Sequence, residues 1–384
     1  MKKKHFYKDL KLGILGGGQL GRMLLQACID FNLQACVLDP DPLSPCHYFQ
    51  NGHIIGDFRS YDTVIEFGKN LDIITIEIEH VNTQALYDLV QLGIQVYPQP
   101  EIIELIQDKG KQKLFYQEHG IPTAPFRLLQ ENELLEKHSD FLPAVQKTRK
   151  MGYDGRGVVF LESLEDISKG FQAPSVLEKK IEVQAELSLI GARNQKGEIR
   201  LFPPIQMVFH PNAHLVEYLF SPAQVSEKVI KQTWEIVRVL LEKLKIVGLL
   251  AVEFLVDHQE NVWVNEVAPR PHNSGHHTIK ANFTSQFEQH LRAILNLPLG
   301  STELKTPSVL VNILGEPNAQ GVPVYVGIEE VLQIEGVHIH LYGKNLVKPL
   351  RKMGHITVQD SSLEKALEKA LHVKKILKVK HQNQ

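Results

Sequence analysis

The chain has 384 residues, enough for two or three domains. Hydrophobic residues at 43% and charged residues at 22% are ordinary globular usage, which excludes a disordered chain and a small disulfide- or metal-stapled module. Forty-two basic against 44 acidic side chains give a net charge of −2, so no global positive field holds nucleic acid or an anionic bilayer and any anion site must be local. Cys28, Cys36 and Cys46 fit neither a CxxC motif nor a zinc ribbon and read as free thiols or buried small hydrophobes. No apolar run approaches the ~18 residues of a membrane span, and the run at 12–15 is too short for a signal-peptide core. A reducing, cytoplasmic setting is expected.

Residues 11–100 alternate β-rich runs (12–15, 34–38, 73–78) with a helix over 19–31, a βαβ pattern. Gly16, Gly18 and Gly21 form a G-x-G-x-x-G at the first strand-to-helix turn, with Asp39 closing the second strand. Such a turn suits a dinucleotide pyrophosphate or simply close helix packing. Pro40, Pro42 and Pro45 then break the chain, and a boundary falls near Tyr97-Pro98-Gln99-Pro100. A helix rich in Lys and Gln is predicted over 101–119. Between 122 and 299 strands (144–147, 158–161, 176–178, 183–190, 201–208, 249–256, 262–267) mix with helices (226–244, 284–295), which reads as α+β. The last stretch carries short strands at 309–314 and 337–341 and a Lys-rich amphipathic helix from 362, whose basic run 374–380 reads as a solvated face.

Glu253 and Glu266 flank a polar turn, 257–261, and hairpin symmetry about 259–260 sets them opposite each other. Like charges directly opposed on a sheet are destabilising, so a buried pair calls for a cation, and two hard oxygen ligands suit Mg2+; the alternative is an exposed hairpin with two solvated glutamates. The following run, Ala268-Pro269-Arg270-Pro271-His272-Asn273-Ser274-Gly275-His276-His277, is too polar and proline-broken for core and is a substrate-loop candidate. Upstream, Lys147-Thr148-Arg149-Lys150 runs into Gly152-Tyr153-Asp154-Gly155-Arg156-Gly157, a hairpin tip whose glycines and basic side chains suit phosphates. Glu178-Lys179-Lys180-Ile181, followed by Glu186, reads by itself as a solvated linker.

Together these segments resemble the ATP-grasp superfamily, and within it the 5-(carboxyamino)imidazole ribonucleotide synthetases. The likeness runs nearly end to end: Gly16-Gly17-Gly18-Gln19-Leu20-Gly21-Arg22-Met23, the 152–157 loop, Leu187-Ser188-Leu189-Ile190-Gly191-Ala192-Arg193, Asn265 to Arg270, His272-Asn273-Ser274-Gly275-His276, Tyr342-Gly343-Lys344 and Arg351-Lys352-Met353-Gly354-His355. The resemblance implies an α/β plus α+β protein with a Rossmann-like pre-ATP-grasp domain (1–107) that does not bind NAD, an ATP-grasp domain (108–300) and a small C-terminal domain (301–384).

It also implies the site. Lys109 and Lys147 contact the phosphates of ATP under a lid of Gly152, Tyr153, Asp154, Gly155, Arg156, Gly157 and Val158. Glu178, Lys179, Lys180 and Ile181 border adenine, Glu186 takes the ribose hydroxyls, and His210 lies near the nucleotide. Glu253 and Glu266, with Asn265 alongside, hold Mg2+. Tyr153, Asp154, Arg156, Arg270, His272, Asn273, Ser274, Lys344 and Arg351 bind the ribonucleotide substrate, and Lys147, Asp154, Arg156 and Arg270 serve the chemistry. That chemistry is the ATP-dependent carboxylation of 5-aminoimidazole ribonucleotide with bicarbonate through carboxyphosphate, a ligase step of purine biosynthesis, in a cytoplasmic homodimer with neither nucleic acid nor membrane as partner. Val158, Pro271 and His277 depart from the usual Gln, Val and Trp, and Ala268 stands where many ATP-grasp relatives have Asn. The competing readings are another ATP-grasp ligase such as a formate-using glycinamide ribonucleotide transformylase, a nicotinamide oxidoreductase built on the Gly16–Asp39 turn, and a non-catalytic nucleotide-binding protein.

Overall fold

The structure, a computed structural model, describes residues 9–49, 52–150, 152, 157–209 and 215–382. β1 (Lys11–Leu15), α1 (Gln19–Asp30), β2 (Gln34–Asp39), β3 (His53–Ile55), α2 (Tyr61–Gly68), β4 (Ile73–Ile76), α3 (Thr83–Gln91) and β5 (Gln95–Tyr97) come first. Their strands make a parallel sheet in the order β3-β2-β1-β4-β5. β4 reads Ile-Ile-Thr-Ile and is buried throughout, as a parallel strand covered on both faces must be. Ser60 and Asn82 cap α2 and α3 through their side-chain oxygens.

The helix expected over 101–119 is two: α4 (Pro100–Ile106) and α5 (Lys109–Glu118). Asp108 divides them, because its carboxylate accepts the Gly110 and Lys111 amides and so opens a new helix. β6 (Phe126–Leu129), β7 (Ala144–Thr148), β8 (Val158–Leu161) and β9 (Ser175–Lys179) follow as an antiparallel sheet in the order β6-β9-β7-β8. The chain continues through β10 (Val183–Arg193), β11 (Ile199–Leu201), β12 (Ile205–Phe209), β13 (Val216–Ser221), α6 (Glu227–Leu244), β14 (Gly248–Asp257), β15 (Val262–Ala268), α7 (Thr278–Ala281) and α8 (Gln286–Ile294). It ends with β16 (Ser308–Leu314), β17 (Pro323–Val326), α9 (Ile328–Leu332), β18 (Val337–Leu341), β19 (Lys352–Gln359), α10 (Leu363–Ile376) and β20 (Lys378–His381).

One antiparallel sheet spans the second half in the order β15-β14-β10-β12-β13-β16-β19-β18, with β11 beside β10. The strand expected over 201–208 breaks at Pro203-Pro204, residues with no amide hydrogen for a ladder. The basic run 374–380 is not one helix face: α10 stops at Ile376, and β20 pairs antiparallel with β17, its Val379 turned inward between lysines. α8 packs its Phe287, Leu291 and Ile294 into the same core as Leu12 and Ile14 of β1 and Leu24 of α1. A buried hydrogen bond of 2.7 Å between Thr75 Oγ1 and His290 Nε2 fixes that docking. Among the described residues no helix is long and apolar enough to cross a membrane.

Candidate active site

The β14–β15 hairpin pairs Glu253 directly with Glu266, and a register shift before Phe254, which pairs with Val264, leaves Asn265 as the bulge residue. On β10, Ser188 lies opposite Glu253 and Glu186 opposite Leu255. Paired residues share a face and a strand's alternate residues do likewise, so Glu186, Ser188, Glu253 and Glu266 occupy one face of the sheet. Glu253 is not a solvated carboxylate. Burial, then the charges of Glu266 and Glu186, push its carboxyl up to about 8, and burial pushes Glu186 up to about 7.

Two opposed carboxylates, one of them reluctant to ionise, form a donor set that a cation would relax. Among the described residues no group of three or more His, Cys, Asp or Glu is placed to hold a metal. The protein thus offers two hard ligands and leaves the remainder to phosphate oxygens and water, the division Mg2+ commonly takes. Glu253 and Glu266 fit such an ion.

Two lysines converge on this edge. Lys109 opens α5, whose start is held by Asp108 in a bidentate pair with Arg149 (2.8 and 2.7 Å) and by the Lys109 amide on the Arg149 carbonyl (2.9 Å). Its Nζ lies 2.9 Å from Glu266 Oε1. Burial acts to lower the Lys109 pKa, but the Glu266 carboxylate outweighs it and the net shift is upward. Lys147 on β7 reaches Glu178 Oε2 at 3.1 Å and Asn265 Oδ1 at 2.9 Å.

Glu178 corrects the solvated-linker reading: it is 4% exposed and paired with Lys147 and Lys113. Nothing in the sequence distinguishes it from a solvent-facing strand end. The Lys179 and Lys180 amides bond to the Pro125 and Pro143 carbonyls. Their side chains turn to the Phe141 and Leu142 carbonyls and to Glu162, and Ile181 comes next, half-buried.

The loop after β15 is built from both sides. Arg270 Nε lies 2.8 Å from Glu79 Oε1, a partner from the N-terminal domain that sequence reasoning missed. Gln286 of α8 clamps His272, accepting from its amide at 2.8 Å and donating to its carbonyl at 2.7 Å. His272 Nε2 is 3.7 Å from Glu253 Oε1, and its Nδ1 is 2.9 Å from Ser274 Oγ, which accepts from the Ser188 hydroxyl at 2.8 Å. Burial, then Arg270 and Lys352, push the His272 imidazole down to about 3, so it is neutral near pH 7. Among the described residues no donor meets the buried Asn273 Oδ1, an acceptor left for a ligand.

His276 and His355 stack at 4.8 Å, His355 and His340 at 4.6 Å, and the Tyr342 hydroxyl meets His355 Nδ1 at 3.0 Å, which ties the loop to β18 and β19. Lys344 Nζ donates to the Lys352 carbonyl at 2.7 Å. Lys352, next to the motif's Arg351, was also missed, although its charge reaches Glu253 and His272. Arg351 donates to the Leu346 carbonyl at 2.8 Å, and among the described residues no hydrogen bond or ion pair joins it to the 270–277 loop. His277, one of the departures, is buried against the Ser274 carbonyl at 3.0 Å.

Two glycine segments differ in kind. The Gly17 amide donates to Asp39 Oδ2 (2.6 Å) and the Gly18 amide to Glu77 Oε1 (3.1 Å). A Cβ at Gly17 would lie 2.7 Å from Ser44 Oγ. The chain's own carboxylates thus occupy the place a pyrophosphate would take, which argues against the dinucleotide reading of this turn. Gly157, at φ +73°, closes the second segment against Thr148 and leads into Val158, paired with Lys147. Gly152 is half-buried beside it. Tyr153, Asp154, Gly155 and Arg156 of that loop, and His210, lie outside the described residues.

Residues 10–107 match the ribonucleotide synthetase pre-ATP-grasp domain, 114–287 the ATP-grasp domain and 308–369 the phosphoribosylaminoimidazole carboxylase C-terminal domain. The N5-carboxyaminoimidazole ribonucleotide synthase of Aquifex aeolicus is 34% identical over 96% of this chain and 97% of its own. The chain belongs to the N5-carboxyaminoimidazole ribonucleotide synthetase family. The crystal structure of that synthetase from Thermotoga maritima superposes with a TM-score of 0.90 at 42% identity, covering 97% of this chain and 100% of that one. The synthase from Aspergillus clavatus, in complex with ADP and 5-aminoimidazole ribonucleotide, superposes at 0.88 with 33% identity, covering 96% and 98%. The chain also matches the chloroplastic phosphoribosylaminoimidazole carboxylase of Vigna aconitifolia at 35% identity over 92% of its length, but spans only 65% of that longer relative. The synthetase family shares the three-domain ATP-grasp architecture seen here.

Proposed function

We propose that this chain carboxylates 5-aminoimidazole ribonucleotide with bicarbonate at the expense of ATP. The observation that carries the reading is the opposed Glu253–Glu266 pair, set beside Lys109 and Lys147 and the Arg270–Ser274 loop. A bicarbonate oxygen attacks the γ-phosphorus, the bond to ADP breaks, and carboxyphosphate forms. Its C–O bond then breaks to give CO2 and phosphate. The exocyclic amine of the ribonucleotide bonds to the carbon and its proton passes to the phosphate.

Lys109 and Lys147 neutralise the transferring phosphoryl group, an electrostatic contribution that works best in a dry, fixed site. Mg2+ on Glu253 and Glu266 would supply further charge neutralisation on the β- and γ-phosphates. The backbone of 178–181, where the Lys179 and Lys180 amides are already bonded within the protein, borders adenine, and Glu186 faces the ribose. Arg270, His272, Asn273, Ser274, Lys344 and Arg351, with Tyr153, Asp154 and Arg156 of the loop, receive the ribonucleotide, whose phosphate wants guanidinium and ammonium donors. Arg270, pre-set by Glu79, faces the bicarbonate side. The homodimer and a reducing cytoplasmic setting, which three free thiols support, belong to the same proposal.

Exchanging substrates tests it against the formate-using ligase. ATP turnover should require bicarbonate with 5-aminoimidazole ribonucleotide; turnover on formate with glycinamide ribonucleotide instead would replace the substrate assignment while keeping the nucleotide site.

A further inference from the structure

Lys113 lies on α5, one turn past Lys109, and is 3% exposed. Its ammonium donates to Thr123 Oγ1, whose hydroxyl donates to the Val264 carbonyl at 2.9 Å, and it lies 3.2 Å from Glu178 Oε1. The other oxygen of Glu178 holds Lys147, which also binds Asn265, the neighbour of Val264 on β15. A closed ring therefore runs Glu178, Lys113, Thr123, Val264, Asn265, Lys147 and back to Glu178. It joins β9 and β7 of the small sheet to β15, the strand that carries Glu266.

One buried carboxylate thus serves two ammonium groups. Without Lys113, both oxygens of Glu178 would face Lys147 alone, and in a low-dielectric interior an unshared carboxylate draws its remaining counter-ion closely. We propose that Lys113 is a positioning residue for ATP binding: by occupying one oxygen of Glu178 it keeps Lys147 from engaging both oxygens of that carboxylate and leaves its ammonium poised along Asn265 for the nucleotide's phosphates. This rests on the reading of Lys147 as a phosphate contact. The lowered pKa of Lys113, about 8, which burial causes against the pull of Glu178, is consistent with a charge held at a cost.

The test is Mg2+-ATP binding by titration calorimetry on the full chain, comparing wild type, Lys113→Met and Lys113→Met/Glu178→Gln. The single variant should bind about tenfold more weakly, and the double variant should recover most of the loss, because the carboxylate that captures Lys147 is gone. Unchanged affinity in a folded Lys113→Met, or a double variant weaker than the single, overturns the proposal. A wild type that binds no Mg2+-ATP overturns the nucleotide-site reading itself, which keeps the two failures apart.

If Lys113→Met does not fold, the pH dependence of binding decides. The charged groups facing Lys113 are Glu178 on β9, Lys147 on β7 and Lys109 on its own helix. Wild-type affinity should fall relative to that of Lys113→Arg, which keeps its charge, as pH rises through about 8, the ionisation of Glu253 over the same range being common to both proteins. A ratio of the two affinities that does not change with pH refutes the role.

Discussion

Replacing Glu253 with Gln should stabilise the unliganded protein while abolishing its Mg2+-dependent turnover. Glu253 sits opposite Glu266, its side chain 22% exposed, with its carboxyl pushed up to about 8 by burial and then by its neighbours' charge. A carboxyl raised in the folded state binds more protons there than in the unfolded chain. Its ionisation therefore subtracts stability progressively as pH rises from the unfolded value near 4.5 toward 8. Taking those two values, the cost is about 3 kcal/mol at pH 7 and below about 1 kcal/mol at pH 5. Glutamine keeps the shape without the charge, so Glu253→Gln should gain up to about 3 kcal/mol at pH 7 and lose most of that gain at pH 5. Urea unfolding of both proteins at the two pH values measures it. Saturating Mg2+-ATP should then raise the wild type's stability and not the variant's, since only a ligand held by the native state stabilises it. Equal stability at pH 7, or a gain that does not shrink at pH 5, would refute the view that this pair is held under electrostatic strain.

Three further outcomes are expected. Thr75→Val removes the hydroxyl that meets His290 Nε2, and because His290 Nδ1 is already buried without a partner among the described residues, the loss should cost about 1–3 kcal/mol, read as a lower melting temperature. His277 and His290 are pushed down to about 4 and 3 by burial. Folded values below the unfolded value near 6.5 mean stability is full above that pH and falls below it, by about 1.4 kcal/mol for each at pH 5.5. Measured in the Glu253→Gln background, where the opposite trend of that carboxyl is absent, a urea midpoint unchanged between pH 7.5 and 5.5 would contradict this. Arg351→Ala should raise the KM for the ribonucleotide about tenfold or more and leave the KM for ATP unchanged. A collapse of ATP binding instead would mean the C-terminal segment has been misassigned.

How much of this was readable in the sequence depends on the range of the contact. The Glu253–Glu266 pairing followed from hairpin symmetry, a local property, and the structure reproduces it with one bulge at Asn265. The polar loop from Arg270 onward stood out by its composition, but the expectation that it is too polar for core is corrected: the structure buries Ser274, His276 and His277, each with a polar or stacked partner. The partners supplied from far along the chain did not stand out: Glu79 for Arg270, Glu77 for the Gly18 amide, and Gln286 for the His272 backbone. No periodicity announces a contact that tertiary packing closes between residues so distant in sequence. Glu178 and Lys113 were illegible for a different reason. Each lies in a stretch rich in charge, where solvation is the ordinary outcome, and only the sheet and helix that close around them turn two solvent-type residues into a buried ring. The tail from 374 misled because Lys alternating with Val suits a strand edge as well as a helix face.

The most direct measurement is ADP release from Mg2+-ATP in CO2-depleted buffer, with bicarbonate and 5-aminoimidazole ribonucleotide added separately and together. The account predicts release only when both are present, one ADP for each carboxylated product. Equal release with either one alone, or none with both, would contradict it.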